Sequence, residues 1–138
     1  MCRPSLRAAR SSLQRLKFAL EALTESLHLE VRHFGIRSVL IEPGTIDTGM
    51  KASEPHKGPA EYAGLWEQWA GADTKMTGPH GVPGPEAVAL AIASAIEDPA
   101  TPLRVPVGQD AEMILGARRS LDDQAFEDAM RKAIGFTW

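Results

Sequence analysis

Lys17-Phe-Ala-Leu-Glu-Ala-Leu-Thr-Glu-Ser-Leu27, running on to Gly35-Ile-Arg-Ser-Val-Leu-Ile-Glu-Pro-Gly44, is the stretch whose reading decides the fold. Working outward from it, apolar residues fall at Leu13, Leu16, Leu20, Leu23, Leu27, Val31 and Phe34. Steps of three and four trace one face of a helix, so one side of this helix is expected to be covered. Gly35 follows Phe34 at the position where a left-handed residue commonly ends a helix. Ile36 to Ile41 is then a short β-branched and leucine-rich run, too short for a second helix and too apolar for a half-wetted edge. It predicts an interior parallel strand that stops before Pro43-Gly44.

From Pro43 to Pro85 the chain places 8 of its 12 glycines and 6 of its 10 prolines. A connection of that length is a lid or is disordered. Tyr62, Leu65, Trp66 and Trp69 recur inside it at helical spacing, which predicts a short amphipathic helix. Pro85 to Glu97 predicts a helix with proline at its permitted first position, Val88, Ile92, Ala95 and Ile96 on one side, and a stop at Asp98-Pro99. Leu103-Arg-Val-Pro-Val107 predicts a second short strand, and Pro106, which donates no ladder bond, belongs on its outer edge or end. The tail from Asp110 predicts one or two helices. Asp122 or Asp123 caps the last, and Ala125, Phe126, Ala129, Met130 and Ala133 form its inner side. Strand, crossover with helix, strand is the unit that builds right-handed parallel pairs, so the fold class is α/β.

Composition narrows the classes. At 138 residues there is length for one domain, since chains near this size bury roughly 68–70% of their unfolded surface. No apolar run approaches the roughly 20 residues of a membrane span. Cys2 is the single cysteine, so neither an internal disulfide nor a zinc framework is expected, which suits a cytoplasmic protein. Overall 15 basic and 18 acidic residues give −3, but Arg3, Arg7, Arg10, Arg15 and Lys17 precede any acid; without those five the remainder is 10 against 18, a net −8. This acid-free start is compatible with an organellar transit peptide or a solvated tail. As a nucleic-acid arm, five charges without aromatic residues would give only weak, salt-sensitive phosphate attraction, so no nucleic-acid partner is expected.

Taken together, the helix after Lys17, the Pro43-Gly44-Thr-Ile-Asp-Thr48 corner, the Pro85-Glu-Ala-Val opening and Leu103-Arg-Val-Pro-Val-Gly-Gln-Asp-Ala111 resemble the short-chain dehydrogenase/reductase family in order and spacing. The resemblance covers about residues 17 to 118. It implies the last two strands and flanking helices of a Rossmann-like doubly wound parallel sheet, with residues 17–138 as the C-terminal half of that domain and a substrate lid over about 45–84. It also implies hydride transfer between NAD or NADP and a small alcohol or ketone. In the family a tyrosine phenol moves the proton while a lysine one turn away lowers the phenol's pKa from about 10 and holds the nicotinamide ribose. Lys17 takes that lysine's place. Pro43, Gly44, Thr45, Ile46 and Thr48 would contact the nicotinamide carboxamide and phosphates, Ile46 through its backbone and Thr48 through its hydroxyl. Tyr62, Trp66 and Trp69 would line the lid, and no metal is expected. Without the resemblance, Lys17 reads as a solvated helix lysine, the threonines as turn hydroxyls, and the aromatic stripe as packing.

Departures from the family pattern matter as much. The tyrosine position is Leu13, which has no titratable proton, and no glycine-rich fingerprint precedes it. The chain is therefore expected to be inactive alone. One account covers both losses and the basic leader over residues 1–16. Leu13-Gln-Arg-Leu-Lys17 can be encoded CTA CAG CGC CTC AAG; read one base later, with one base restored in the following A run, it gives Tyr-Ser-Ala-Ser-Lys-Phe. A single-base deletion would then join an out-of-frame start to the family frame near Lys17. The alternative expectation, from a different class, is a non-catalytic module that forms a homo-oligomer through the Leu13–Phe34 helix.

Overall fold

A computed structural model describes residues 6–49, 60–70, 75 and 81–137, with the side chains of 6–14, 62, 65, 66, 69 and 70 outside the described set. The chain is α/β. Helix α1 spans Leu6–Arg32, strand β1 Leu40–Pro43, a 3-10 turn Ala60–Tyr62 and helix α2 Ala63–Ala70. Helix α3 follows at Pro85–Glu97, strand β2 at Arg104–Val107, helix α4 at Gln109–Ser120 and helix α5 at Asp123–Ile134. The two strands are parallel, with Leu40 opposite Arg104 and Pro43 opposite Val107.

Side-chain alternation along β1 sorts the helices into two layers, because successive residues of a strand face opposite ways. Arg37, Val39 and Ile41 lie with Ile92, Ala95 and Ile96 of α3. The even residues face α1: Ser38 Oγ lies 3.1 Å from His28 Nδ1, and Glu42 meets Arg104, which also reaches Glu21 and Glu25 of α1. The sheet thus carries α1 on one face and α3 on the other, as a partial Rossmann-like sheet should.

Several expected boundaries move. The helix begins at Leu6 rather than near Leu13, inside the basic leader over residues 1–16. At its other end Gly35 adopts φ +73° and the Gly35 and Ile36 amides return to Arg32 and Val31, the expected left-handed stop. The strand predicted at 36–41 is instead ordered as a ladder over 40–43. Ile36 is still engaged with the helix end, and β2 offers nothing beyond Leu103, whose carbonyl takes the Leu40 N–H at 2.6 Å. Because residues 103, 105 and 107 are the ones that bond toward β1 in a parallel ladder, Pro106 turns its missing donor to the outer edge.

The covered core among the described residues is small: Ala95, Val107, Ala111 and Ile134, with Asp110 beside them. On α5 the covered residue is Ile134, whereas Ala133, expected on the inner side, is exposed. On α3, Ile92 and Ile96 are 45% and 70% exposed, so that expected face is only partly covered. The leucine stripe of α1 is open as well, from 67% at Leu16 to 45% at Leu27. Helix ends are well made. Asp122 Oδ1 accepts the Ala125 N–H at 2.8 Å, Gly135 closes α5 at φ +79°, and Lys75 Nζ donates to the Ile134 carbonyl at 2.7 Å.

Candidate functional site

The corner after β1 is held at several consecutive points. Gly44 N–H donates to Val107 O at 2.9 Å, continuing the ladder, and Thr45 N–H donates to Asp110 Oδ2 at 2.6 Å. Asp47 N–H donates to Pro83 O at 2.8 Å, and Gly49 N–H to Asp47 Oδ1 at 3.3 Å, an Asx-type closure. Between them the Ile46 N–H has no partner among the described residues. Three elements therefore fix one short turn: β2 through Val107, α4 through Asp110, and the segment leading into α3 through Pro83.

Gly44 is required by a close approach rather than by its dihedrals. A Cβ there would overlap the Asp110 carboxylate. Gly108, at φ +101°, opens α4 and would place a Cβ 2.9 Å from Asp110 Oδ1.

Of the residues singled out from sequence, Pro43, Gly44, Thr45, Ile46 and Thr48 share this turn. Pro43 ends β1, and Thr45 and Ile46 are half-buried. Lys17 lies apart on α1, exposed and without a hydrogen-bond or ion-pair partner among the described residues. The side chains of Tyr62, Trp66 and Trp69 lie outside the described set, although their backbones are helical as the spacing predicted. The short helix is tethered to the C-terminal tail, since Gln68 Oε1 accepts the Thr137 N–H at 3.1 Å and Gln68 Nε2 lies 3.2 Å from Thr137 Oγ1.

Three residues matter here that pattern reading did not single out. Arg104 binds Glu21 at 2.9 Å, Glu25 at 2.7 Å and Glu42, linking α1 to both strands. The Glu25 hydrogen bond raises the guanidinium pKa above its ordinary value, burial opposes this, and Glu21 and Glu42 add to the rise. Arg37 donates to the carbonyls of Ala95, Ile96 and Asp98 at 2.9–3.1 Å and so caps the C-terminal end of α3. Asp110 is 5% exposed. The signal for Asp110 was an acid in the first helical turn after Gly108; for the arginines it was only their alternation, since their partners are 58 to 83 residues away.

Beside the turn, β1 has one unpaired edge among the described residues. Between the α3-facing side of β1 and α3, Arg37, Val39 and Ile41 with Ile92, Ala95 and Ile96 line an open cleft of about 310 Å³. No group of three or more His, Cys, Asp or Glu side chains among the described residues is placed to hold a metal ion. Likewise, no described helix is long and apolar enough to cross a membrane.

No protein-family profile matches the chain. It is similar to two proteins of Schizosaccharomyces pombe, each described as an uncharacterized oxidoreductase, with 31% identity over 120 residues. The match takes in 86% of this chain and 50% of each relative, so the chain spans about half the length of the curated relatives it matches.

Proposed function

We propose that this chain corresponds to the back half of a short-chain dehydrogenase/reductase, an oxidoreductase that moves hydride between NAD or NADP and a small alcohol or ketone. The observation that carries this reading is the 43–48 turn. It follows a strand end in a parallel sheet, is held from three elements, and has a main-chain donor, Ile46 N–H, without a partner among the described residues. Such a donor fits the carboxamide of a nicotinamide ring. The two relatives named as oxidoreductases support the same general chemistry.

The residues present fit the nicotinamide end of the cofactor, and within the 43–48 turn the Thr48 hydroxyl would face its phosphates. Lys17 and the 43–48 turn would orient the ring and ribose; the cofactor when bound supplies the hydride. No glycine lies within residues 1–34, so these residues hold no glycine-rich cradle for the pyrophosphate. Leu13 supplies no proton at the tyrosine position. The β1 edge left unpaired among the described residues is where further strands of such a sheet would continue. The chain by itself therefore turns over no substrate. Purified protein assayed with NADH and NADPH against a panel of ketones and alcohols tests this, and steady turnover at the level of an intact relative would refute it.

A second reading is favoured by one observation, the exposure of Leu16, Leu20, Leu23, Leu27 and Phe34 along α1. In it the helix pairs with another copy of the chain, and the protein acts as an interaction module. Light scattering during size-exclusion chromatography separates the readings, because only the module forms a defined dimer.

A further inference from the structure

Asp110 is a buried carboxylate that the first reading counts only as one of three anchors of the 43–48 turn. It occupies the second position of α4 and is 5% exposed, and no lysine or arginine among the described residues forms an ion pair with it. Its charge is met by main-chain donors instead. Oδ1 accepts the Ala111 N–H at 2.9 Å, which fixes the side chain against its own helix, and Oδ2 accepts the Thr45 N–H at 2.6 Å. The positive end of the α4 dipole favours an anion at this place.

Space for that carboxylate comes from two missing side chains. Gly44 and Gly108 flank it, and a Cβ on either would crowd Oδ1. Burying a carboxylate is costly unless its oxygens are satisfied, and here both oxygens have a main-chain partner. Among the described residues, the Thr45 N–H bond fixes the Gly44–Thr45 peptide and the Asp47 N–H bond fixes the Ile46–Asp47 peptide, so the Thr45–Ile46 peptide that carries the Ile46 donor is bracketed on both sides.

We propose that Asp110 is the positioning residue of the 43–48 turn: its carboxylate presets the Ile46 main-chain donor for a carboxamide-bearing nucleotide. This rests on reading the turn as the nicotinamide contact. Asp110 itself touches no ligand and acts through Thr45.

The test is amide hydrogen exchange by NMR on the whole chain, comparing wild type with Asp110→Ala, Asp110→Asn, Gly44→Ala and, as a control, Asp122→Ala, which removes a cap from α5. Asp110→Ala is expected to speed Thr45 exchange by about tenfold or more and to displace the Ile46 amide resonance, whereas Asp122→Ala leaves both unchanged. Asp110→Asn, which keeps one acceptor oxygen, should fall between. If Asp110→Ala loses the native spectrum, Asp110→Asn and Gly44→Ala carry the same comparison, the latter by wedging the carboxylate away without removing it. Nicotinamide mononucleotide is then titrated into wild type and variants. A shift at Ile46 in wild type that weakens in the Asp110 variants supports the proposal. Thr45 exchange unchanged in Asp110→Ala overturns the latch whatever the nucleotide does. Faster exchange with no Ile46 response in wild type instead overturns the nicotinamide reading of the turn, and with it the role proposed for Asp110.

Discussion

Arg104 is the residue on which the two strands and α1 converge, one cation meeting three carboxylates. Replacing it by methionine keeps much of the stem's packing but leaves Glu21, Glu25 and Glu42 facing one another. Loss of one partner from a fully buried pair costs about 3–5 kcal/mol, whereas exposed pairs contribute about 0–1. With Arg104 22% exposed and Glu25 52%, the expected loss for Arg104→Met is between these, about 1–3 kcal/mol, measured as a lowered urea midpoint. Glu25→Gln, at the most exposed partner, should cost under about 1 kcal/mol in the same assay. The pairing was not legible in the sequence, because nothing in local spacing relates residue 104 to residue 21. What was legible was the Pro43–Thr48 corner, whose proline and glycine announce a turn chemically.

At the scale of elements, capping decides how far α3 and α5 persist. Asp122→Ala removes the side-chain acceptor for Ala125 N–H and should destabilise α5 by about 1 kcal/mol, read from circular dichroism on heating. Arg37→Ala strips three donors from the end of α3 and should release its last turn, seen as faster amide exchange at Glu97 and Asp98 with a loss of about 1 kcal/mol. The existence and order of the helices from 13 onward were readable from three-and-four spacing, and Gly35 and Asp122 performed the terminal roles their chemistry predicts. Strand boundaries were not. Ile36 to Val39 has the composition of a strand, yet a ladder needs an opposite chain, and β2 does not begin until Arg104. Which helical faces would be covered was likewise hidden: Ile96 matches a core pattern but lies 70% exposed in the cleft between α3 and β1.

For the chain as a whole, the proposed reading predicts no turnover by this polypeptide alone. Leu13→Tyr alone should not raise NADH or NADPH oxidation above background, since it supplies a proton donor without a pyrophosphate cradle. Leu20→Glu together with Leu23→Glu should leave the sedimentation of a monomer unchanged and convert a defined dimer to monomer if α1 is a pairing surface, because both leucines are more than half exposed. The odd-and-even sorting of residues 37 to 42 between α3 and α1 has a consequence for which length changes the gene can tolerate. With Leu40–Pro43 held in register against β2, deleting Ser38 or Val39 would turn Arg37 to the opposite face, carrying its guanidinium away from the end of α3 and toward α1. Point substitutions in this strand should therefore be borne far better than any single-codon insertion or loss.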